Sequence, residues 1–243
     1  MKTTGNTILI TGGSSGIGLG FAAEFLKLGN KVIICGRREE RLKEVQQKHP
    51  GIIIKACDVA NAADREELAA WTKKNHPEIN VLINNAGVQL HANINKNADL
   101  GKIRAEVDTN LIAPIHLSSL FIELLEDKGS AIINITSGLA FVPLAFMPVY
   151  CATKAALHSI TLSLRHQLKA TSIKVFEIAP PAVDTELGHD TRQDKAQSHG
   201  GISVEEFLKE AMEYIAGDVY ESAVGIAKGL KAKREEAFDM MNK

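Results

Sequence analysis

The chain has 243 residues, 45% hydrophobic and 23% charged, with a formal net charge of −1. That is long enough to bury a full core, and no basic face would draw it to nucleic acid or anionic lipid. The first apolar run, Ile8-Leu9-Ile10, stops at Gly12-Gly13, too short for a signal peptide or a membrane span. Cys35, Cys57 and Cys151 outline no disulfide framework and suit a reducing, cytoplasmic setting.

In chain order, β-branched runs at Thr7–Thr11, Lys31–Gly36, Ile52–Val59, Val81–Asn85, Ala131–Thr136 and Ile173–Ile178 are apolar on successive residues. Strands covered by helices on both faces of a parallel sheet read that way. Helices are expected near 17–28, 61–75, 99–126 and 149–169. Gly29-Asn30 supplies a stop for the first. Residues 186–204 are polar and aperiodic, a loop. A helix is expected from Val204 to about Ala216, a last strand at Val219–Val224, and a charged surface helix from Ile226 to Asn242. The alternation predicts an α/β fold, a doubly wound parallel sheet of the Rossmann type in three αβα layers, as a single domain over 1–243.

The first strand runs into Thr11-Gly12-Gly13-Ser14-Ser15-Gly16-Ile17-Gly18, which opens the first helix. Glycines there let the backbone approach a pyrophosphate, and a helix start offers free N–H groups and a positive dipole end. A glycine cluster alone is also what a tight β–α turn uses; the strand–turn–helix context favours the dinucleotide reading. Where an acidic residue would bind the ribose 2′-hydroxyl of NAD, this chain has Gly36, then Arg37-Arg38. Two guanidiniums suit the 2′-phosphate of NADP, so NADP is expected over NAD. The arginines could also be no more than a solvated helix start.

Tyr150 and Lys154 stand at i and i+4, on one helix face. A phenol is a poor acid or base at neutral pH, and a nearby ammonium favours its phenolate. Ser137 follows the fifth strand, at the carboxyl edge where ligands bind in open α/β sheets, and its hydroxyl can hold a substrate oxygen. Each residue singly could be ordinary core or surface. Eight histidines show no His-x-x-x-His pairing and no Cys-x-x-Cys occurs, so no metal site is expected.

Together with Asp58-Val59, Asn84-Asn85-Ala86-Gly87, Asn110, Tyr150-Cys-Ala-Thr-Lys154 and Pro180-Pro181-Ala182-Val183-Asp184-Thr185, these motifs resemble the short-chain dehydrogenase/reductase family over roughly 5–185. Arg37-Arg38 and Ala179–Val183 are similar to its DltE-like bacterial oxidoreductases. The resemblance implies that Ser137 polarises a carbonyl and that Tyr150 exchanges the proton. It implies that Lys154 binds the nicotinamide ribose and lowers the tyrosine pKa, and that Asn110 holds a relay water. It places Gly12, Ser14, Ser15, Gly16, Ile17, Gly18, Asp58, Val59, Asn85, Ala86, Gly87, Tyr150, Lys154, Val183 and Thr185 on the cofactor, with Asp58 at the adenine. Pro181 stands where the family has glycine, and the frequent Asp-Gly-Gly ending is missing.

The function expected is therefore hydride transfer between NADP and a small carbonyl or alcohol. The alternative is a dinucleotide-binding sensor without turnover. An epimerase or dehydratase of the superfamily is disfavoured, because only about 60 residues follow the sixth strand. Residues 138–149 and 186–204, which mix Leu139, Phe141, Val142, Leu144, Phe146 and Met147 with polar loop residues, suggest a partly apolar pocket wall. Apolar residues cover nearly the whole circumference of the helices at 110–126 and 150–168, which predicts a homodimer or homotetramer through them. The segment 186–203, with Gly188, Gly200 and Gly201, is expected to act as a lid.

Overall fold

The computed structural model describes residues 1–90, 94–126, 129–188 and 200–243. Its elements are β1 (Thr7–Thr11), α1 (Gly16–Lys27), β2 (Lys31–Gly36), α2 (Glu39–Lys48), β3 (Ile52–Ala56), α3 (Ala62–Asn75) and β4 (Val81–Asn84). Then come α4 (Leu100–Val107), a π-helical turn (Asp108–Ile112), α5 (Ala113–Leu125), β5 (Ala131–Ile135), α6 (Pro148–Gln167) and β6 (Lys174–Ala179). The chain closes with α7 (Val204–Ala216), β7 (Glu221–Ala223), α8 (Ala227–Lys233), a 3-10 turn (Arg234–Ala237) and α9 (Phe238–Met241).

The seven strands form one parallel sheet in the order β3-β2-β1-β4-β5-β6-β7. Alternate residues on each strand enter opposite cores. Ile8, Ile10, Val32, Ile34 and Ile83 meet Phe21 and Phe25 of α1, Leu42 of α2 and Phe207 of α7. Leu9, Ile33, Leu82 and Ile132 meet Leu68 of α3 and Leu117 and Phe121 of α5. Both faces are thus dry, which is why the strands read as unbroken apolar runs. Each fully buried Ile, Leu or Phe contributes roughly 1.5–3 kcal/mol. The order reverses between β1 and β4, so their carboxyl ends open a crevice for ligand.

Several expectations are corrected. Glu39–Lys48 forms a helix that the apolar pattern did not single out, because only Leu42 and Val45 of it are buried. β3 stops at Ala56, since Asp58 and Asn61 begin a turn: Asn61 N–H donates to the Asp58 carbonyl. The helix expected over 99–126 is divided by the π-turn at Asp108–Ile112. The single helix expected over 226–242 is broken at Arg234, whose φ of 49° lies in the left-handed region. Leu68 and Ala69 of α3 share a core with Leu117 and Phe121 of α5, while Ile112 of the π-turn and Leu162 of α6 are exposed large apolar side chains. Among the described residues no helix is long and apolar enough to cross a membrane.

Candidate active site

The glycine-rich turn joins the end of β1 to the start of α1. Gly16 takes a φ of 52°, and a Cβ on it would lie 3.1 Å from Thr185 Cγ2. A Cβ on Gly18 would lie 2.4 Å from Asn85 Nδ2. Neither position has room for a side chain, and the bare glycine backbone is what lets a pyrophosphate approach closely. Asn61, Asp99 and Ser203 cap α3, α4 and α7 with their side chains, but Ser15 makes no such bond at α1 and no acidic residue occupies its first turn. Its N–H groups remain available for an anion. This donor set fits the pyrophosphate of a dinucleotide.

The other segments expected at the cofactor converge on the same edge. The backbone N–H groups of Asn85 and Ala86 both donate to Thr11 Oγ1 at 3.0 Å, and Asn85 Nδ2 donates to Thr11 O at 2.9 Å. The turn after β4 is thereby tied to the end of β1. Gly36 ends β2 beside Ser14, whose Oγ lies 3.6 Å from where a Cβ on Gly36 would be. Arg37 and Arg38 follow, both exposed. Asp58 Oδ1 accepts from Ala60 N–H at 3.0 Å, and Val59 is buried in the core shared with α3 and α5. Val183 is buried and pairs with Ile202 in an isolated bridge. The lid expected over 186–203 falls largely on 189–199, outside the described residues.

Ser137, Tyr150, Lys154 and Asn110 are brought together and are all buried. Lys154 Nζ stands 5.7 Å from the Tyr150 ring centroid and donates to the Ile135 carbonyl at 2.9 Å. Burial pushes its pKa down to about 8. Burial pushes the Tyr150 phenol up, partly opposed by its hydrogen bond with the Ser137 side chain. Ser137 Oγ also accepts from Leu139 N–H at 3.1 Å, at the start of a 3-10 turn. Asn110 lies in the π-turn, a feature frequent at functional sites. Its side chain accepts from Val88 N–H and donates to Val88 O, both at 2.8 Å, and donates to Thr153 Oγ1 at 3.2 Å. Gly87 lies between them: a Cβ there would be 3.4 Å from Asn110 Oδ1 and 3.7 Å from Lys154 Nζ.

The wall beside Tyr150 is narrower than the sequence suggested. Leu139, Leu144 and Leu187 pack on Met147, Tyr150 and Cys151. Phe141 and Val142 instead join Ala227 and Leu230 of α8, away from that cluster, and Phe146 is exposed.

The short chain dehydrogenase family model matches residues 6–196. The chain belongs to this family. It is 48% identical over its whole length, and over 98% of the relative, to "Uncharacterized oxidoreductase DltE" of Bacillus subtilis. Over 86% of the chain and 88% of the relative, it is 31% identical to "NADP-dependent 3-hydroxy acid dehydrogenase YdfG" of Escherichia coli K12. A Burkholderia phymatum short chain dehydrogenase/reductase solved with NAD superposes with a TM-score of 0.88, covering 100% of this chain and 97% of the other. At 21% identity that likeness shows the shared fold. The protein is an NAD(P)-dependent short-chain dehydrogenase/reductase, and the binding-only reading is not favoured.

Three features of this short-chain dehydrogenase were not seen in the sequence. Glu106 is fully buried and four residues before Asn110; its Oε1 accepts from Leu90 N–H at 2.9 Å, and its Oε2 has no hydrogen-bond partner among the described residues. Burial pushes its carboxyl pKa up, and its charge in turn raises that of Tyr150. The i, i+4 spacing from Asn110 was the available signal. Second, Glu177 on β6 is buried behind Ser137, accepting from Thr136 Oγ1 at 2.7 Å and paired with His158 Nδ1 at 2.7 Å. Glu221 lies beside this pair but is held by Lys231 at 2.8 Å and Arg165 at 3.8 Å, so the cluster balances its own charge. Third, Arg41 of α2 joins Arg38 in binding Glu186.

Proposed function

We propose that the protein is an NADP-dependent oxidoreductase that interconverts a carbonyl and an alcohol. The observation that carries this reading is the buried Ser137–Tyr150–Lys154 cluster, seated at the carboxyl edge of β5 beside the glycine-lined crevice. The bound dinucleotide supplies or takes the hydride.

In reduction, Ser137 Oγ donates to the substrate oxygen and holds it beside the Tyr150 hydroxyl. Tyr150 passes its proton to that oxygen as the C–H bond forms, leaving a phenolate and an alcohol. The Lys154 ammonium stabilises the phenolate. In oxidation the phenolate takes the hydroxyl proton. Lys154 also binds the nicotinamide ribose, and Asn110 orders the water through which Lys154 exchanges protons. Burial favours the protonated phenol in the ligand-free protein, the state reduction requires.

Gly12, Ser14, Ser15, Gly16, Ile17 and Gly18 take the pyrophosphate, Asp58 and Val59 flank the adenine, Asn85-Ala86-Gly87 line the ribose, and Val183 and Thr185 meet the carboxamide. Three things support NADP over NAD: Gly36 removes the carboxylate that would repel a 2′-phosphate, the arginines after it are exposed and close, and a relative is named as NADP-dependent. The wall of Leu139, Leu144, Met147 and Leu187 supports a substrate with an apolar portion.

Fluorescence titration of the purified protein with NADPH and NADH tests the cofactor assignment. Charge-assisted bonds contribute roughly 1.5–3 kcal/mol each, so NADPH should bind at least about tenfold more tightly. Gly36→Asp should move the preference toward NADH. Equal affinities, or tighter NADH, contradict the assignment.

A further inference from the structure

Glu186 bridges two guanidiniums that follow Gly36 in the chain. Its Oε1 accepts from Arg41 Nη2 at 3.0 Å, and its Oε2 lies 3.7 Å from Arg38 Nη2. Glu186 comes from the segment after β6, the arginines from the segment after β2. These segments approach only because the chain crosses the crevice: Thr185, the residue before, sits against Gly16 at the start of α1. A carboxylate is thus delivered from the far side of the crevice onto the guanidiniums next to Gly36. Arg37 makes no ion pair among the described residues. Arg38 and Arg41, one turn apart on and before α2, are the two guanidiniums that Glu186 holds.

We propose that Glu186 is a cofactor-specificity residue. Its carboxylate occupies Arg38 and Arg41 as an internal anion and competes with the 2′-phosphate of NADP for them. This rests on the proposed NADP reading. A 2′-phosphate carries more charge and more acceptor oxygens than a carboxylate, so it can displace Glu186 from both arginines. The 2′-hydroxyl of NADH is neutral and leaves the pair intact. Glu186 therefore subtracts from NADPH affinity and leaves NADH affinity alone, which narrows the discrimination that the arginines create. All three side chains are between 39% and 50% exposed, so the pair is weak and the subtraction modest.

The test is a set of fluorescence titrations of the full chain with NADPH and NADH. Adenosine 2′,5′-bisphosphate and AMP, which differ only in the 2′-phosphate, are then used as competing probes whose difference reports the 2′-phosphate pocket. Glu186→Gln keeps the shape and removes the charge. It is expected to tighten NADPH and adenosine 2′,5′-bisphosphate by about two- to tenfold and to leave NADH and AMP within twofold. Arg41→Gln is expected to weaken NADPH and adenosine 2′,5′-bisphosphate and to spare NADH. A wild type that prefers NADPH, with the ratio unmoved in Glu186→Gln, overturns this proposal alone. So does weaker NADPH binding in Glu186→Gln, which would make Glu186 a clasp that retains the cofactor. A wild type that binds NADH as tightly as NADPH overturns both this proposal and the NADP reading. Thermal melting of each variant confirms that the titrated protein is folded.

Discussion

Glu106 and Asn110 stand one helical turn apart and hold the same strip of chain. Asn110 bonds both backbone groups of Val88, and Glu106 accepts from Leu90 N–H. The strip follows Gly87, and Gln89 within it donates to Met147 Sδ beside Tyr150. Glu106 is on α4 and Asn110 is in the π-turn that continues it, so α4 and the turn act together as a bracket for the pocket's near wall.

Glu106→Gln keeps an acceptor for Leu90, whereas Glu106→Leu leaves that N–H unsatisfied, which costs about 1–3 kcal/mol. Glutamine should retain activity within a few-fold and leucine should lose at least about tenfold by misplacing the strip. The pH signature separates charge from shape. The folded pKa of Glu106 is raised, so its contribution to stability is present below the ordinary carboxylate pKa and is lost as pH rises through the folded value. Denaturant midpoints measured from pH 4 upward should fall for the wild type relative to Glu106→Gln. Parallel curves would contradict this.

Lys154 works in the opposite sense. Its folded pKa of about 8 lies below the 10.5 of a free lysine, so between these values the unfolded chain binds the extra proton. Stability of the ligand-free protein therefore rises with pH through that window. Lys154→Met should abolish that rise and weaken dinucleotide affinity. A wild-type difference curve that is flat from pH 8 to 10 would remove the buried ammonium from the account.

A homodimer or homotetramer through α5 and α6 is also proposed. Ile112, in the π-turn just before α5, and Leu162 of α6 are 41% and 40% exposed in the single chain. Light scattering at micromolar concentration should give at least a dimer mass, and Ile112→Lys with Leu162→Lys should dissociate it. A monomeric wild type, or an undisturbed oligomer in the double variant, contradicts this interface.

The sheet was legible in the sequence because both faces of its strands are dry; runs such as Ile8-Leu9-Ile10 admit few other readings. That Ser137, Tyr150 and Lys154 would stand together was expected from the family resemblance, because the Tyr150 to Lys154 spacing alone is common in helices. Glu106 was not, since a glutamate in a helix reads as solvated surface until the fold buries it. The Glu186–Arg41 pair spans 145 residues, and no local pattern signals a contact made across a crevice. The helix at Glu39–Lys48 was missed because its polar residues outnumber the two that anchor it.

The central claim is that Tyr150 is the proton donor in NADPH-dependent carbonyl reduction. It is tested by following NADPH absorbance over a panel of aldehydes, ketones, sugars, steroids and 3-oxo acids, with wild type and Tyr150→Phe side by side. Wild type should turn over at least one class. Phenylalanine keeps the ring and loses only the hydroxyl, so it should reduce kcat by about 10²–10⁴ while NADPH binding stays within about twofold, since no cofactor contact is assigned to that proton. A variant that retains most of the activity, or one that loses NADPH binding along with turnover, would contradict the account.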